Sequence, residues 1–177
     1  MRRTNSRTRP AFLLLPLLLL AGCGEDEITE PPRLDVSVVA GLYSLTQLSF
    51  DPQGSLPAAD LLPALNTVPT LNLTTSLQAQ ILVQDPVTSL VFTINGTFQT
   101  TEDGIRLQFP EGSGNATLLL PSPLNLTFDE QAKTLTFSGA VQGGIPRDRL
   151  IELVPALAEE QLLDPVPGTL VVQFTKN

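Results

Sequence analysis

The chain reads as a mainly β protein: an antiparallel up-and-down barrel or sandwich of about eight strands, with one or two short leucine-rich helices. Three observations carry that expectation. Apolar residues recur at every second position in run after run, the pattern of a strand with one buried face. The breaks between runs hold turn-forming residues, Asp85–Pro86, Glu102–Asp103–Gly104 and Asp129–Glu130–Gln131 among them. Two stretches, 54–66 and 146–165, abandon alternation for helical spacing.

A first strand fits VSVVAGLYSLTQLSF (36–50). From Leu71 to Val83 the odd positions are apolar apart from Thr75, whereas most even ones are Asn, Thr, Ser or Gln, which predicts one long strand. After Asp85 and Pro86 the alternation resumes with Leu90, Phe92, Ile94 and Phe98, so the two runs form a hairpin. Gly96 inside the second run predicts a bulge or bend. Ile105, Leu107 and Phe109 follow the next turn. GSGNAT (112–117) resembles a glycine-rich phosphate loop in composition, but the text after it reads as a strand, so no helix N-terminus awaits a phosphate and it is a hairpin loop. Strands are then expected at TLLLP (117–121), at Leu124, Leu126 and Phe128, at Leu135, Phe137 and Val141, and finally at Leu170, Val172 and Phe174.

GSLPAADLLPALN (54–66) and PRDRLIELVPALAEEQLLDP (146–165) interrupt this text. In the second, Leu150, Leu153, Val154 and Leu157 share one helical face, and Pro155 cannot donate to the carbonyl of Ile151. A kink or two short helices are therefore expected, the second starting near Pro155 and stopping at Asp164 and Pro165.

The N-terminus is of another kind. Four arginines and no acid occupy the first nine residues, and an apolar run from Ala11 to Ala21, broken by Pro16, follows. That is the layout of a secretory signal, too short to span a bilayer, which takes about 20 apolar residues. The only cysteine stands at its end, in LLLLAGCG (17–24). Leu20, Ala21, Gly22 and Cys23 resemble the lipobox of bacterial lipoproteins. The resemblance implies cleavage between Gly22 and Cys23, a diacylglycerol on the Cys23 thiol and acylation of the new amino group. A covalent lipid then takes the place of any cofactor, and the membrane becomes a partner. Two or three acyl chains hold a protein durably where one does so only marginally. Gly24 occupies the position where an aspartate often retains such proteins at the inner membrane, so the implied location is the cell envelope at the outer membrane. The organisation read from the sequence is a signal over 1–22, a lipidated cysteine and acidic tether over 23–35, and a single β domain over 36–177.

Loss of the signal leaves all eighteen acids against six bases (Arg33, Arg106, Lys133, Arg147, Arg149, Lys176). Such a field repels phosphate backbones, and no basic stripe overrides it, so nucleic acid is not an expected partner. With Cys23 acylated no thiol remains for a disulfide, and stability must come from one hydrophobic core, for which the length suffices. GEDEITEPPRLD (24–35), with five carboxylates and two adjacent prolines, reads as a tether of roughly 40 Å when extended at about 3.3 Å per residue. Its Glu25, Asp26 and Glu27 are expected to be solvated and not a metal site.

Within the β domain, GLYSL (41–45), GTFQTTEDGIRLQF (96–109) and AKTLTFSG (132–139) resemble the strand and turn text of bacterial lipocalin-like lipoprotein domains, with Tyr43 where that family favours tryptophan. The resemblance implies a small antiparallel barrel that could hold an apolar compound, with Phe92, Ile94, Leu107 and Phe137 as candidate lining. The alternative for these four is plain core.

No enzyme is expected. The chain has no histidine, which removes Ser-His-Asp triads, Cys-His pairs and the common zinc sites. Its two lysines, Lys133 and Lys176, fall beside a turn and next to the C-terminus. The acid pairs Glu102–Asp103, Asp129–Glu130 and Glu159–Glu160 are sequence neighbours, which in turns serve the turn and in strands point apart, so they do not face each other across a cleft as glycoside hydrolysis requires. The four N-x-T sequences, at Asn72, Asn95, Asn115 and Asn125, read as polar strand positions. A transmembrane barrel is disfavoured by the anchor, by one tyrosine and no tryptophan for interfacial girdles, and by helical connections. Two function classes remain: an anchored envelope protein that binds a small apolar ligand, or a structural or protein-interaction lipoprotein with a filled core whose partner is another envelope protein. A cavity of roughly 300 Å³ or more favours the first, and a filled interior with an exposed apolar patch the second.

Overall fold

A computed structural model describes residues 32–54, 56–65, 67–84, 90–113 and 118–177. The signal, Leu20, Ala21, Gly22, Cys23, the acidic stretch through residue 31, the Asp85–Pro86 turn and residues 114–117 of the GSGNAT loop lie outside them.

Alternation builds a wall that closes on itself. The elements run α1 (Val36–Val39), β1 (Gly41–Pro52), β2 (Ala59–Asp60), a 3₁₀ turn (Leu62–Leu65), β3 (Thr70–Leu73), β4 (Gln78–Gln84), β5 (Val91–Thr100), β6 (Gly104–Gln108), β7 (Leu124–Asp129), β8 (Thr134–Ala140), α2 (Arg147–Leu153), a 3₁₀ helix (Pro155–Leu157) and β9 (Gly168–Lys176). Each wall strand pairs antiparallel with its neighbour in sequence, and β9 returns to pair with β1 from Tyr43↔Lys176 to Pro52↔Gly168. The result is an eight-stranded closed up-and-down barrel, with the two-residue β2 laid beside the end of β1. Closure pairs the first wall strand with the last, so neither end of the sheet is left as a free edge strand, the liability of any flat sheet.

The apolar face of each strand points inward. Tyr43, Leu48, Phe50, Leu71, Ile81, Phe98, Ile105, Leu107, Leu124, Leu135, Val172 and Phe174 are almost wholly enclosed, and no polar or charged residue is buried among the described residues. The side chains fill the interior as one continuous core, which takes in Leu118–Leu120, Ile145, Leu150, Leu153 and Leu157 from the connections. Outward positions such as Asn95, Thr97, Gln99 and Arg106 are exposed. A barrel that crosses a bilayer carries its apolar band on the outside; here it is inside. Among the described residues no helix is long and apolar enough to cross a membrane.

The two ends differ. The base carries α1, the short turns 74–77, 101–103 and 130–133, and the C-terminus; the rim carries the described parts of the connections 53–69 and 109–123 and the connection 141–167. At the base, Leu34 N–H donates to Thr101 O at 2.9 Å and Leu34 packs on the core. Asp35 then caps α1 by accepting from Ser37 N–H at 2.8 Å, and these bonds with the Ser37 backbone and hydroxyl hold its carboxyl below the usual range.

Six expectations need correction. The first strand begins at Gly41 and not at 36, because the Asp35 cap turns residues 36–39 into one helical turn whose Val39 is buried against the core. The run 71–83 is two strands joined by a four-residue turn at 74–77, in which Leu77 takes a left-handed conformation (φ 63°). The described part of TLLLP, residues 118–121, is not a strand: Leu118–Leu120 lie buried in the β6–β7 connection, where Pro121 and Pro123 lack the N–H groups a central ladder needs. Among its described residues, segment 54–66 holds β2 and a 3₁₀ turn and no α-helix. Gly96 makes no bulge, since the β4–β5 register runs through it unbroken; it leaves room for Phe109, whose Cδ1 would lie 2.8 Å from a Cβ built there. The bulge falls instead at Thr46, where the β1–β9 register slips and moves the inward face from odd to even positions. In the β8–β9 connection α2 ends before Pro155 and a 3₁₀ helix starts there, as the spacing predicts, but this second helix stops at Leu157 and not at Asp164.

Candidate functional site, a cleft at the barrel rim

The wall is incomplete at one place. β7 and β8 pair only at Thr127↔Thr136, Phe128↔Leu135 and Asp129↔Thr134. Beyond that, residues 124–126 of β7 stay with β6 and residues 137–140 of β8 stay with β9, so the two strands part toward the rim. A cleft of about 500 Å³ lies there, lined by Leu119, Leu120, Pro121, Ser122, Pro123 and Asn125 on one side and by Phe137, Ala140, Val141, Gln142, Gly144, Ile145 and Pro146 on the other.

Local chemistry holds both walls. On the first, the Ser122 hydroxyl accepts from Phe109 N–H and donates to Phe109 O, both at 3.0 Å, which closes the long β6–β7 connection onto the end of β6. On the second, Ile145 and Val166 exchange backbone bonds, Ile145 N–H to Val166 O at 2.9 Å and Val166 N–H to Ile145 O at 2.7 Å. Arg147 N–H donates to Asp164 Oδ1 at 3.1 Å, tying the start of α2 to the return segment. Leu150 and Leu153 of α2 and Leu157 bury themselves in the core, so the helical connection that follows Pro146 is anchored to the barrel. Pro121, Pro123 and Pro146 have fixed φ angles and little freedom left to lose on binding.

Among the described residues no charged side chain lines the cleft. Its lining side chains offer no group suited to acid or base work; they can enclose an uncharged guest against Phe137, Val141 and Ile145, with the exposed Asn125 and Gln142 offering amides. A second hollow of about 300 Å³ lies on the outer face of β4–β6, lined by Gln78, Asn95, Gly96, Thr97, Gln108, Phe109 and Pro110; it is smaller and shallower. Among the described residues no three His, Cys, Asp or Glu side chains gather as they would around a metal ion.

The four candidate lining residues do not come together. Ile94 and Leu107 are buried in the filled core. Phe92 sits at the rim end of β5, 56% exposed beside Leu90 and Val91. Phe137 alone reaches the cleft, half-buried on the inward face of β8. The rest of the lining, chiefly Leu119, Leu120, Val141 and Ile145, was missed. The signal that could have found part of it was the pair Pro121 and Pro123, two missing donors one residue apart, which rules out a central strand and marks a shaped connection. Comparison with protein-family models, with curated proteins and with solved structures finds no match to this chain.

Proposed function

We propose that this chain is a lipid-anchored protein of the bacterial cell envelope whose barrel domain binds an uncharged apolar group at the rim, between β7 and β8. The cleft carries the reading: about 500 Å³, with no charged side chain in its lining among the described residues and with Phe137 in its wall, beside an interior packed with its own side chains. The volume falls in the range of small-molecule sites, roughly 300–1,000 Å³. The anchor rests on the lipobox resemblance of Leu20, Ala21, Gly22 and Cys23. The small closed up-and-down barrel also fits the lipocalin-like resemblance, with the guest moved from the interior to the wall.

A second reading, an interaction surface for another envelope protein, draws on Leu90, Val91 and Phe92, three consecutive apolar residues each more than half exposed. Native mass spectrometry of the full chain after mild extraction, together with titration by the neutral fluorophore Nile red, separates the two. Retained mass of an apolar compound, or Nile red binding that Phe137→Ala weakens and Phe92→Ala leaves alone, is the result expected for the cleft. A clean apo mass together with Nile red binding abolished by Phe92→Ala and untouched by Phe137→Ala overturns it in favour of the exposed tip.

A further inference from the structure

The parting of β7 from β8 leaves backbone groups as well as side chains in the cleft. Val141 N–H donates to Gly168 O, and in an antiparallel ladder successive residues turn their backbone bonds alternately to one neighbour and the other. Phe137 and Gly139 therefore bond to β9, opposite Val172 and Leu170, while Ser138 and Ala140 turn their N–H and C=O groups toward β7. The same count on β7, from Phe128 N–H donating to Asp103 O, turns Asn125 toward β8. Its ladder partner would be Ser138, but pairing stops at Thr127↔Thr136. Among the described residues no hydrogen bond reaches the backbone groups of Asn125, Ser138 or Ala140 from across the gap.

A strand flank with unpaired donors and acceptors is a template for another extended chain. An apolar small molecule would fill the volume and leave these groups unmatched, whereas an extended peptide matches both the volume and the alternating donors and acceptors. We infer that the guest of this cleft is a short extended peptide segment, neutral and apolar at alternate residues, that adds as a strand to the Ser138–Ala140 flank of β8. The inference rests on the cleft reading of the preceding subsection. The uncharged lining that the described residues give the cleft selects a neutral segment, and the excess of acids over bases in the chain disfavours acidic flanks. Every second side chain of such a segment would point to Phe137 and Ile145, the others to solvent.

The test uses the isotopically labelled full chain and an end-blocked pentapeptide of alternating threonine and valine, beside the same peptide methylated on alternate backbone nitrogens. The peptide is expected to slow amide exchange at Ser138 and Ala140, leave Phe137 and Gly139 unchanged, and displace Nile red; the methylated peptide is expected to bind about tenfold more weakly. Ala140→Pro removes a donor that faces the gap and none that faces β9, so it should cost the peptide about tenfold in affinity. If Nile red binding depends on Phe137 but the peptide neither displaces it nor slows those amides, the peptide inference falls and the cleft reading stands. If neither probe binds, both fall. Equal binding of the two peptides also overturns the inference, and that comparison needs only the unmutated chain.

Discussion

The hydroxyl of Tyr43 donates to the carbonyl of Val39 at 2.6 Å, so the first wall strand reaches back to cap the helical turn that precedes it. One residue earlier, Val38 O accepts from Lys176 Nζ at 3.1 Å, and the same ammonium lies 5.7 Å from the centre of the Tyr43 ring. A helix end leaves its last carbonyls without partners; here a residue of β1 and one of β9 supply them. Val39 is thereby held as the plug of the barrel base, and the entering chain is fastened to both strands that close the wall.

Tyr43→Phe keeps the ring and strands the Val39 carbonyl in a buried place. Chemical denaturation should show a loss of about 1–3 kcal/mol, the usual cost of a buried polar group left unpaired. The pH dependence has a definite sign. Burial pushes the Tyr43 hydroxyl up to about 12, against about 10 in an unfolded chain, so the folded state holds this proton more tightly. The contribution is whole below pH 10 and is lost as pH rises through 12. Phenylalanine cannot titrate, so the gap in stability between wild type and variant should narrow across that window. A gap that stays constant from pH 9 to 12 would contradict a buried, bonded hydroxyl.

Gly104 opens β6 opposite Thr127, where two backbones approach closely. A Cβ built there would lie 1.9 Å from Leu126 O and 2.9 Å from Thr127 Cα. Main chain cannot turn aside as a flexible side chain can, so Gly104→Ala must force β6 from β7. Overpacking usually costs about 1–3 kcal/mol and sometimes more; the upper end or beyond is expected here. Thermal unfolding and the amide exchange of residues 104–107 report it.

The eight strands legible in the sequence and the eight of the wall are not the same eight. Leu71 pairs with Ile81 and Leu73 with Ala79, all odd positions, so the apolar parity passes through the 74–77 turn without a break and two strands read as one. Leu118–Leu120 make the opposite error: three consecutive leucines look like a buried strand, yet they fill the core from a connection. The two differences cancel in the count. Fold class survives because inward alternation is a property of every strand and tolerates such slips. The cleft was far less legible, because it arises where one ladder stops, and a missing pairing leaves no mark in the residues on either side. Phe137 was named for its alternation with Leu135 and reaches the site only because β7 has turned away from it.

Leu107 and Phe92, both candidate lining residues from the sequence, now make opposite demands on stability. Leu107 is fully enclosed in the filled interior, and its replacement by alanine should leave a cavity costing about 2–5 kcal/mol. Phe92 is more than half exposed, and Phe92→Ala should fall within about 0.5 kcal/mol of wild type. Denaturant midpoints at constant slope decide the matter. Similar losses at the two sites would mean that the rim end of β5 is covered by something the barrel alone does not supply.

The proposed anchor makes the last demand, and it turns on one sulfur. If Cys23 receives diacylglycerol, cells fed a labelled acyl precursor should place the label on the wild-type chain and none on Cys23→Ser. Oxygen for sulfur changes the side chain little in size but removes the nucleophilic thiolate that takes up the lipid. In the lipobox reading, cleavage between Gly22 and Cys23 follows lipidation, so the variant should also keep its signal and migrate as the larger species. The wild type should sediment with membranes and be released by detergent and not by salt, since acyl chains contribute roughly 0.8 kcal/mol per buried CH₂, a hydrophobic contribution that ionic strength does not screen. Salt release would point instead to electrostatic association, which eighteen acids against ten bases make unfavourable at an anionic surface. An unlabelled wild-type chain, cut elsewhere and free of the membrane, would remove the anchor and leave the cleft reading to stand on its own geometry.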